Sequence, residues 1–392
     1  MKLTNIQKLY ISNFLTGLVF WYGIEKLFMR SIGIDAFGVG LATVFISTFN
    51  LIFDIPAGIL ADKWSRKGML IVSAGALIMA NLVLGTSHNL LQYVVGYAFF
   101  GVNIVATSGT YQAIIYDTLR EESREAHYSK IMGRAYALFL VGTGVADTAS
   151  GFIAHQYGYR ATFFMTIVSC VVNIVLIMTI TEPAFHKPEG KENVLKRLGV
   201  VSKTLARMRL LRALTIVMTV LAVAEAFKID FGQLYMLRYV SQPQLIGLLW
   251  AVYAFTWALG SAVAHRLHAH ITLLVVATVL PLVLMANIDN WFSLVLFMVQ
   301  ATAAAALINQ IETRIQDKTP SAVRASVLSI LSVVGRLVSV PACFVLGWLF
   351  NVYGAYWALR FVASVAAAVL CYWLWQSWNL QRAEEVGADP AL

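Results

Sequence analysis

Charge is scarce in this chain. Asp, Glu, Lys and Arg make up only 12% of its 392 residues, where a soluble domain carries about 25%. That shortage excludes a disordered chain, which needs high polarity, and an ordinary cytosolic enzyme. Cysteine is scarcer still. Cys170, Cys343 and Cys371 each lie in an apolar run without C-x-x-C spacing. A disulfide scaffold and a zinc framework are therefore excluded, and the three read as small buried hydrophobes. No G-x-x-x-x-G-K-[ST] loop is present, so the chain does not drive work with ATP. No Ser/His/Asp or metal-catalytic arrangement occurs at usable spacing, so the chain does not read as an enzyme. No small-residue cleavage site follows the first apolar run, so that run is read as a retained membrane helix.

What is abundant is apolar surface. Apolar types reach 59% and the mean hydropathy is +0.73. No soluble core hides that much. A membrane-crossing helix takes about 20 apolar residues, and twelve stretches qualify. The first six are 9–31, 36–61, 68–87, 90–117, 131–155 and 159–181. The second six are 210–237, 244–265, 271–288, 291–315, 321–350 and 355–378. These are numbered spans 1 to 12 below. The organisation is then a first bundle over 1–181, a polar linker over 182–209, a second bundle over 210–378 and a tail over 379–392. The linker carries Lys187, Lys191, Lys196, Arg197, Lys203 and Arg207.

The +9 charge is a topology signal. With the N-terminus placed inside, only Lys26, Arg30, Arg160, Lys228, Arg238 and Arg360 of the 29 basic residues fall on the outer side. Positive charge collects on the cytoplasmic side, so both termini are expected there, and nucleic acid is not a partner. The halves also echo one another. Gly58-Ile-Leu-Ala-Asp62-Lys63 closes span 2 as Ser261-Ala-Val-Ala-His265-Arg266 closes span 8. Gly133-Arg134 opens span 5 as Gly335-Arg336 opens span 11. Duplicated halves place a substrate site at mid-membrane.

The stretch Asp54-Ile-Pro56-Ala-Gly58-Ile-Leu-Ala-Asp62-Lys63-Trp-Ser-Arg66-Lys67 resembles the loop 2–3 signature of the major facilitator superfamily: a Gly, an Asp four residues on, then clustered Arg and Lys. With twelve spans and a basic central linker, the resemblance covers essentially the whole chain. Tyr111-Gln-Ala-Ile-Ile-Tyr116-Asp117-Thr-Leu, followed by Gly133-Arg134, is also similar to bacterial members labelled drug exporters. The resemblance implies an all-α membrane protein of twelve transmembrane helices in two pseudo-symmetric six-helix bundles. It implies a multi-pass transporter of the bacterial inner membrane that binds a small molecule in a central cavity, acts as a monomer and uses no cofactor. It also implies that Asp62 faces the cytoplasmic start of span 11, Thr319-Pro320-Ser321, held by Lys63, Arg66 and Lys67. Gly58 would let a neighbouring helix approach, and the contact would latch the two halves. The alternative is that these charges only set topology.

Ionisable groups inside a membrane are costly and therefore functional candidates. Asp147 lies midway along span 5 and Glu225 midway along span 7. With Glu25 they are the candidates for proton coupling or substrate binding. The alternatives are a polar helix contact for Asp147 and a structural pair with Lys228 for Glu225. Glu25 and Lys26 are adjacent, so they point about 100° apart on a helix, while Arg30 snorkels outward. Asp54 reads as part of the cytoplasmic network. The resemblance implies an Asp117–Arg134 pair as an inner gate, with Arg336 answering Glu312 or Asp317 in the second half; the alternative is that all are structural ion pairs. Polar and aromatic cavity candidates are Trp21, Tyr22, Asn50, Asn103, Tyr111, Gln112, Gln233, Tyr253, Trp257, Gln300 and Asn309; the alternative for each is a lipid-facing or packing role. His265, His268 and His270 match no common zinc spacing, so no metal is expected.

Two departures bear on direction. Many proton-coupled drug antiporters of the superfamily carry an Arg in span 4, four residues before a Gly; here Tyr97 precedes Gly101. The Gly-rich stretch Gly142-Thr-Gly144-Val-Ala-Asp147-Thr-Ala-Ser-Gly151 has no Pro. Three readings follow: efflux of a small amphipathic compound in exchange for protons, proton-coupled or facilitative import of a metabolite, and a transporter-like sensor or scaffold.

Overall fold

The computed structural model describes residues 3–183, 209–267, 270–318 and 324–385. The six basic residues of the linker, Thr319-Pro320-Ser321, His268 and the side chain of Asp62 lie outside the described residues.

All regular structure among the described residues is helical. The first six spans are built from α1 (Asn5–Gly17), α2 (Glu25–Ser31), α3 (Ala36–Lys63), α4 (Arg66–Thr86), α5 (Leu90–Thr107), α6 (Thr110–Glu121), α7 (Tyr128–Tyr157) and α8 (Tyr159–Met178). The second six are built from α9 (Arg209–Ala226), α10 (Gly232–Met236), α11 (Pro243–Val263), α12 (Ile271–Met285), α13 (Phe292–Lys318), α14 (Arg324–Tyr353) and α15 (Ala355–Glu385). The last runs past its expected end at 378. Side-chain caps start several helices: Thr4 accepts from the Gln7 N–H, Asp35 from Gly38, Ser65 from Gly68 and Asn89 from Gln92. Each satisfies a backbone donor that the helix leaves open.

Nine helical segments among the described residues are long and apolar enough to cross a membrane. Spans 1, 7 and 9 fall short individually, for visible reasons. Span 1 breaks after Gly17 and resumes through a 3-10 turn, Tyr22–Ile24. Span 7 contains a π-helical segment, Phe227–Phe231, a distortion often found at functional sites. Span 9 stops at Met285, before Asn287, Asp289 and Asn290. Span 4 is broken as well: Gly109 adopts φ +71° between α5 and α6, which costs a residue with a Cβ about 1–2 kcal/mol.

The described residues form two compact units. The first holds 3–183 with 240–251, the second 209–239 and 252–385. In the first, α1 and α7 cross where both lack side chains: a Cβ on Gly17 would strike the Phe139 carbonyl, and one on Gly142 that of Phe14. Ile6, Leu9, Leu70, Ile114, Leu119, Ile131 and Ile177 form one buried apolar cluster there. Among the described residues, a Cβ on Gly58 would meet open space, beside the face of α3 that exposes Ile55, Ile59 and Leu60; the start of span 11, its expected neighbour, lies outside the described residues.

Candidate functional site

The break in span 4 opens onto a cavity of about 430 Å³ in the first unit. Tyr22, Asn103, Tyr111 and Gln112 line it, joined by Asn13, Thr16, Thr107, Ser108, Tyr136 and Phe139. Among the described residues that line it, none is charged. Hydroxyls and amides order one wall. The Tyr111 hydroxyl lies 2.5 Å from Ser12 Oγ and 3.1 Å from Thr16 Oγ1. Asn103 donates to the Ser73 carbonyl and hydroxyl at 3.1 and 2.8 Å.

Span 1 carries a buried charge pair beyond its own break. Lys26 Nζ lies 2.9 Å from Glu25 Oε2, and both residues are buried. Tyr93 donates to Glu25 Oε1 at 2.8 Å, and the Tyr97 hydroxyl donates to the same oxygen. Glu25 and Lys26 meet at the start of α2, where Glu25 follows the 3-10 turn. Arg30, in contrast, is exposed.

Asp147 is 1% exposed. It accepts a hydrogen bond from the Gly23 backbone N–H at the break in span 1, and its Oδ1 has no hydrogen-bond partner. Gly23 is required there, since a Cβ would lie 2.5 Å from Ser150 Oγ and 3.0 Å from the Asp147 carbonyl oxygen. Trp21 lies in the core, stacked on Phe163 with ring centroids 5.3 Å apart. Asn50 is half-buried with Oδ1 unpartnered.

The second unit gathers five candidate residues. Lys228 Nζ lies 3.0 Å from Glu225 Oε2, off the line of a hydrogen bond. The Tyr253 hydroxyl donates to Glu225 at 3.5 Å and the Gln300 amide at 3.4 Å. Nζ also lies 5.3 Å from the Tyr253 ring and 5.7 Å from those of Trp257 and Phe297, within cation–π range. Asn309 stands apart, donating to Ser261 Oγ and the Ala305 carbonyl. Gln233 is buried in α10. A smaller cavity of about 300 Å³ is lined by Thr219, Glu312, Gly335, Arg336 and Ser339. Arg336 shares this cavity with Glu312, and no ion pair joins it to Glu312 or Asp317 among the described residues.

Two of the loop 2–3 charges, Arg66 and Lys67, are engaged within the first unit. Arg66 pairs with Asp117 and donates to the Ala113 carbonyl at 3.0 Å. The expected partner, Arg134, is exposed: α7 starts at Tyr128, so Arg134 lies well inside the helix rather than at its start. Lys67 grips the end of span 6, donating to the Met178 and Ile180 carbonyls at 2.7 and 2.8 Å. Lys63 is exposed and Asp54 half-buried.

Lys26, Tyr93 and Tyr97 surround Glu25; the sequence singles out Lys26 and Tyr97 without this role, and Tyr93 not at all. Tyr93 and Tyr97, four apart, share a helix face, which was the available signal. Asp230, buried in the π segment, contacts Cys343 Sγ at 3.7 Å. No sequence pattern marks that distortion.

Helical spans, buried intramembrane ion pairs and an uncharged polar cavity define a multi-pass membrane protein of the solute-transporter class. The chain belongs to the Major Facilitator Superfamily, whose profile matches residues 9–341. It is 25% identical over 175 residues to the inner membrane transport protein YajR of Escherichia coli, covering 44% of this chain and 37% of that one. It is 27% identical over 197 residues to the multidrug resistance protein MdtG of Citrobacter koseri, covering 48% and 47%. Each match thus spans less than half the relative's length. Among solved structures, the nucleoside transporter NupG superposes with TM-score 0.79 at 14% identity, covering 95% of this chain and 98% of that one. A D-xylose-proton symporter superposes with TM-score 0.70 at 12% identity, covering 94% and 97%. Twelve helices in two six-helix bundles fit this fold.

Proposed function

We propose that the chain is a secondary active transporter of the bacterial inner membrane. By alternating access it moves a small amphipathic molecule outward in exchange for protons, as a monomer with both termini cytoplasmic. The observation that carries this reading is Asp147. Glu25 and Glu225 each have a lysine partner, whereas Asp147 is buried with one backbone donor and an unpartnered oxygen. Taking up a proton removes a charge that its surroundings do not offset, and a group that exchanges its proton between two sides of a membrane couples transport to the gradient. Glu25 and Glu225 are secondary coupling sites, reached if substrate binding separates them from Lys26 and Lys228. Gly58, Asp62, Lys63, Arg66 and Lys67 form the cytoplasmic gate in this reading, with Asp54, Asp117, Arg134 and Arg336 near it. The similarity to MdtG supports the outward direction.

Import of a metabolite is the second reading. Tyr97 stands where many antiporters of the superfamily carry Arg, and it hydrogen-bonds Glu25. The deciding experiment is proton release from purified, weakly buffered protein on adding lipophilic cations, neutral drugs, sugars and amino acids. A proton expelled on binding, and lost in Asp147→Asn, supports exchange. Binding without proton release favours the importer.

A further inference from the structure

We infer that the cavity at the break in span 4 is a binding site for an uncharged solute that carries both hydroxyl or amide groups and a flat apolar face. The inference deepens the transporter reading and rests on it. At about 430 Å³ the space falls within the range of about 300–1,000 Å³ typical of small-molecule pockets.

The argument turns on where the charges are. The buried charges of the first unit are committed elsewhere: Glu25 to Lys26 and two tyrosines, and Arg66 to Asp117. Asp147 is not among the residues lining the cavity. An ionised solute would leave water and meet no counter-charge among the described residues that line the cavity, a cost that hydrogen bonds to neutral groups do not offset. An uncharged solute meets what the cavity offers. The Gln112 amide and the Tyr136 hydroxyl engage no other described residue. Asn13 spends one amide hydrogen on the Leu9 carbonyl and keeps its oxygen. Tyr136 and Phe139 stack with ring centroids 6.1 Å apart and planes 18° from parallel, so the wall presents an aromatic face beside these polar groups. Such a pairing holds rings edge-on or offset and orients a solute that is polar on one side only.

The test uses the full chain purified in detergent, with equilibrium dialysis against four probes: uridine and D-glucose, both uncharged, tetraphenylphosphonium as a cation and L-aspartate as an anion. The expected result is retention of an uncharged probe and of neither ion. Gln112→Ala and Tyr136→Phe should each weaken it by about five- to tenfold, the worth of one hydrogen bond between neutral groups. Both positions are exposed on their helices, so the fold is retained. Gln112→Glu should gain tetraphenylphosphonium binding that falls with added salt. Retention of neither uncharged probe overturns the inference. So does retention of an ion by the unmodified protein that Gln112→Ala abolishes. Uncharged binding without proton release keeps this inference and discards proton exchange. Proton release triggered by tetraphenylphosphonium keeps the exchange and discards this inference.

Discussion

Lys228 and Glu225 neutralise each other inside a distorted membrane helix, their charged atoms 3.0 Å apart and the lysine fully buried. Such a pair contributes little net stability, yet removing one member strands the other, at about 3–5 kcal/mol. We expect Lys228→Met and Glu225→Gln each to lower the melting temperature strongly. The double substitution should recover much of the loss, since no lone charge remains. A double-mutant cycle of thermal unfolding in one detergent checks it. Additive losses would mean that the two residues act independently.

Asp147→Asn should behave differently. Asparagine preserves volume and an acceptor for the Gly23 N–H, so unfolding should shift by no more than about 1 kcal/mol, the worth of one altered hydrogen bond. Transport driven by a pH gradient in proteoliposomes should be lost, while exchange of labelled for unlabelled solute continues. Full pH-driven uptake by Asp147→Asn removes this residue from the coupling scheme.

At Gly109 the expected loss comes from the backbone. A Cβ meets nothing within 4 Å there, but φ is +71°. Gly109→Ala should therefore destabilise by about 1–2 kcal/mol, and Gly109→Asn by less, since Asn tolerates the left-handed region. Equal effects from the two would point to side-chain clashes instead. Thermal unfolding of both variants distinguishes the two causes.

Outside the spans, Asp289 sits in the loop between α12 and α13. Hydrogen bonds from Arg238, one of them 2.9 Å long, hold its carboxyl down to about 2. A depressed carboxyl stabilises the folded form above its ordinary value near 4, and that contribution fades as pH falls toward 2. We expect the melting temperatures of the unmodified protein and Asp289→Asn to run parallel from pH 5 to 8. Below pH 4 the curve of the unmodified protein should fall more steeply. Parallel curves throughout would remove Asp289 from the acid response.

The spans were legible because a bilayer demands long apolar runs, and their boundaries follow from that demand. Glu225 with Lys228 was legible from spacing, being one turn apart. The breaks were not. Leu18 to Trp21 is as apolar as its surroundings, so hydropathy passes over that break, and although Phe227 to Phe231 carries Lys228 and Asp230, charge alone does not announce a change of helix form. Glu25 meets Lys26 just after the first of these segments, and Asp230 meets Cys343 from within the second. Asp117 does not form the expected pair with Arg134, for another reason. Its partner Arg66 lies 51 residues away in sequence, and only packing brings the two together, while the nearer Arg134 projects from an exposed face.

The grip of Tyr93 and Tyr97 on one oxygen of Glu25 joins span 1 to span 4 at a single register. Sliding one span along the other by a helical turn, about 5.4 Å, would strip the carboxylate of both phenols and leave it with Lys26 alone. The joint works as a ruler. It makes axial slippage between these two helices expensive, so the register of spans 1 and 4 is fixed at one point outside the interruptions at residues 18–21 and 108–109.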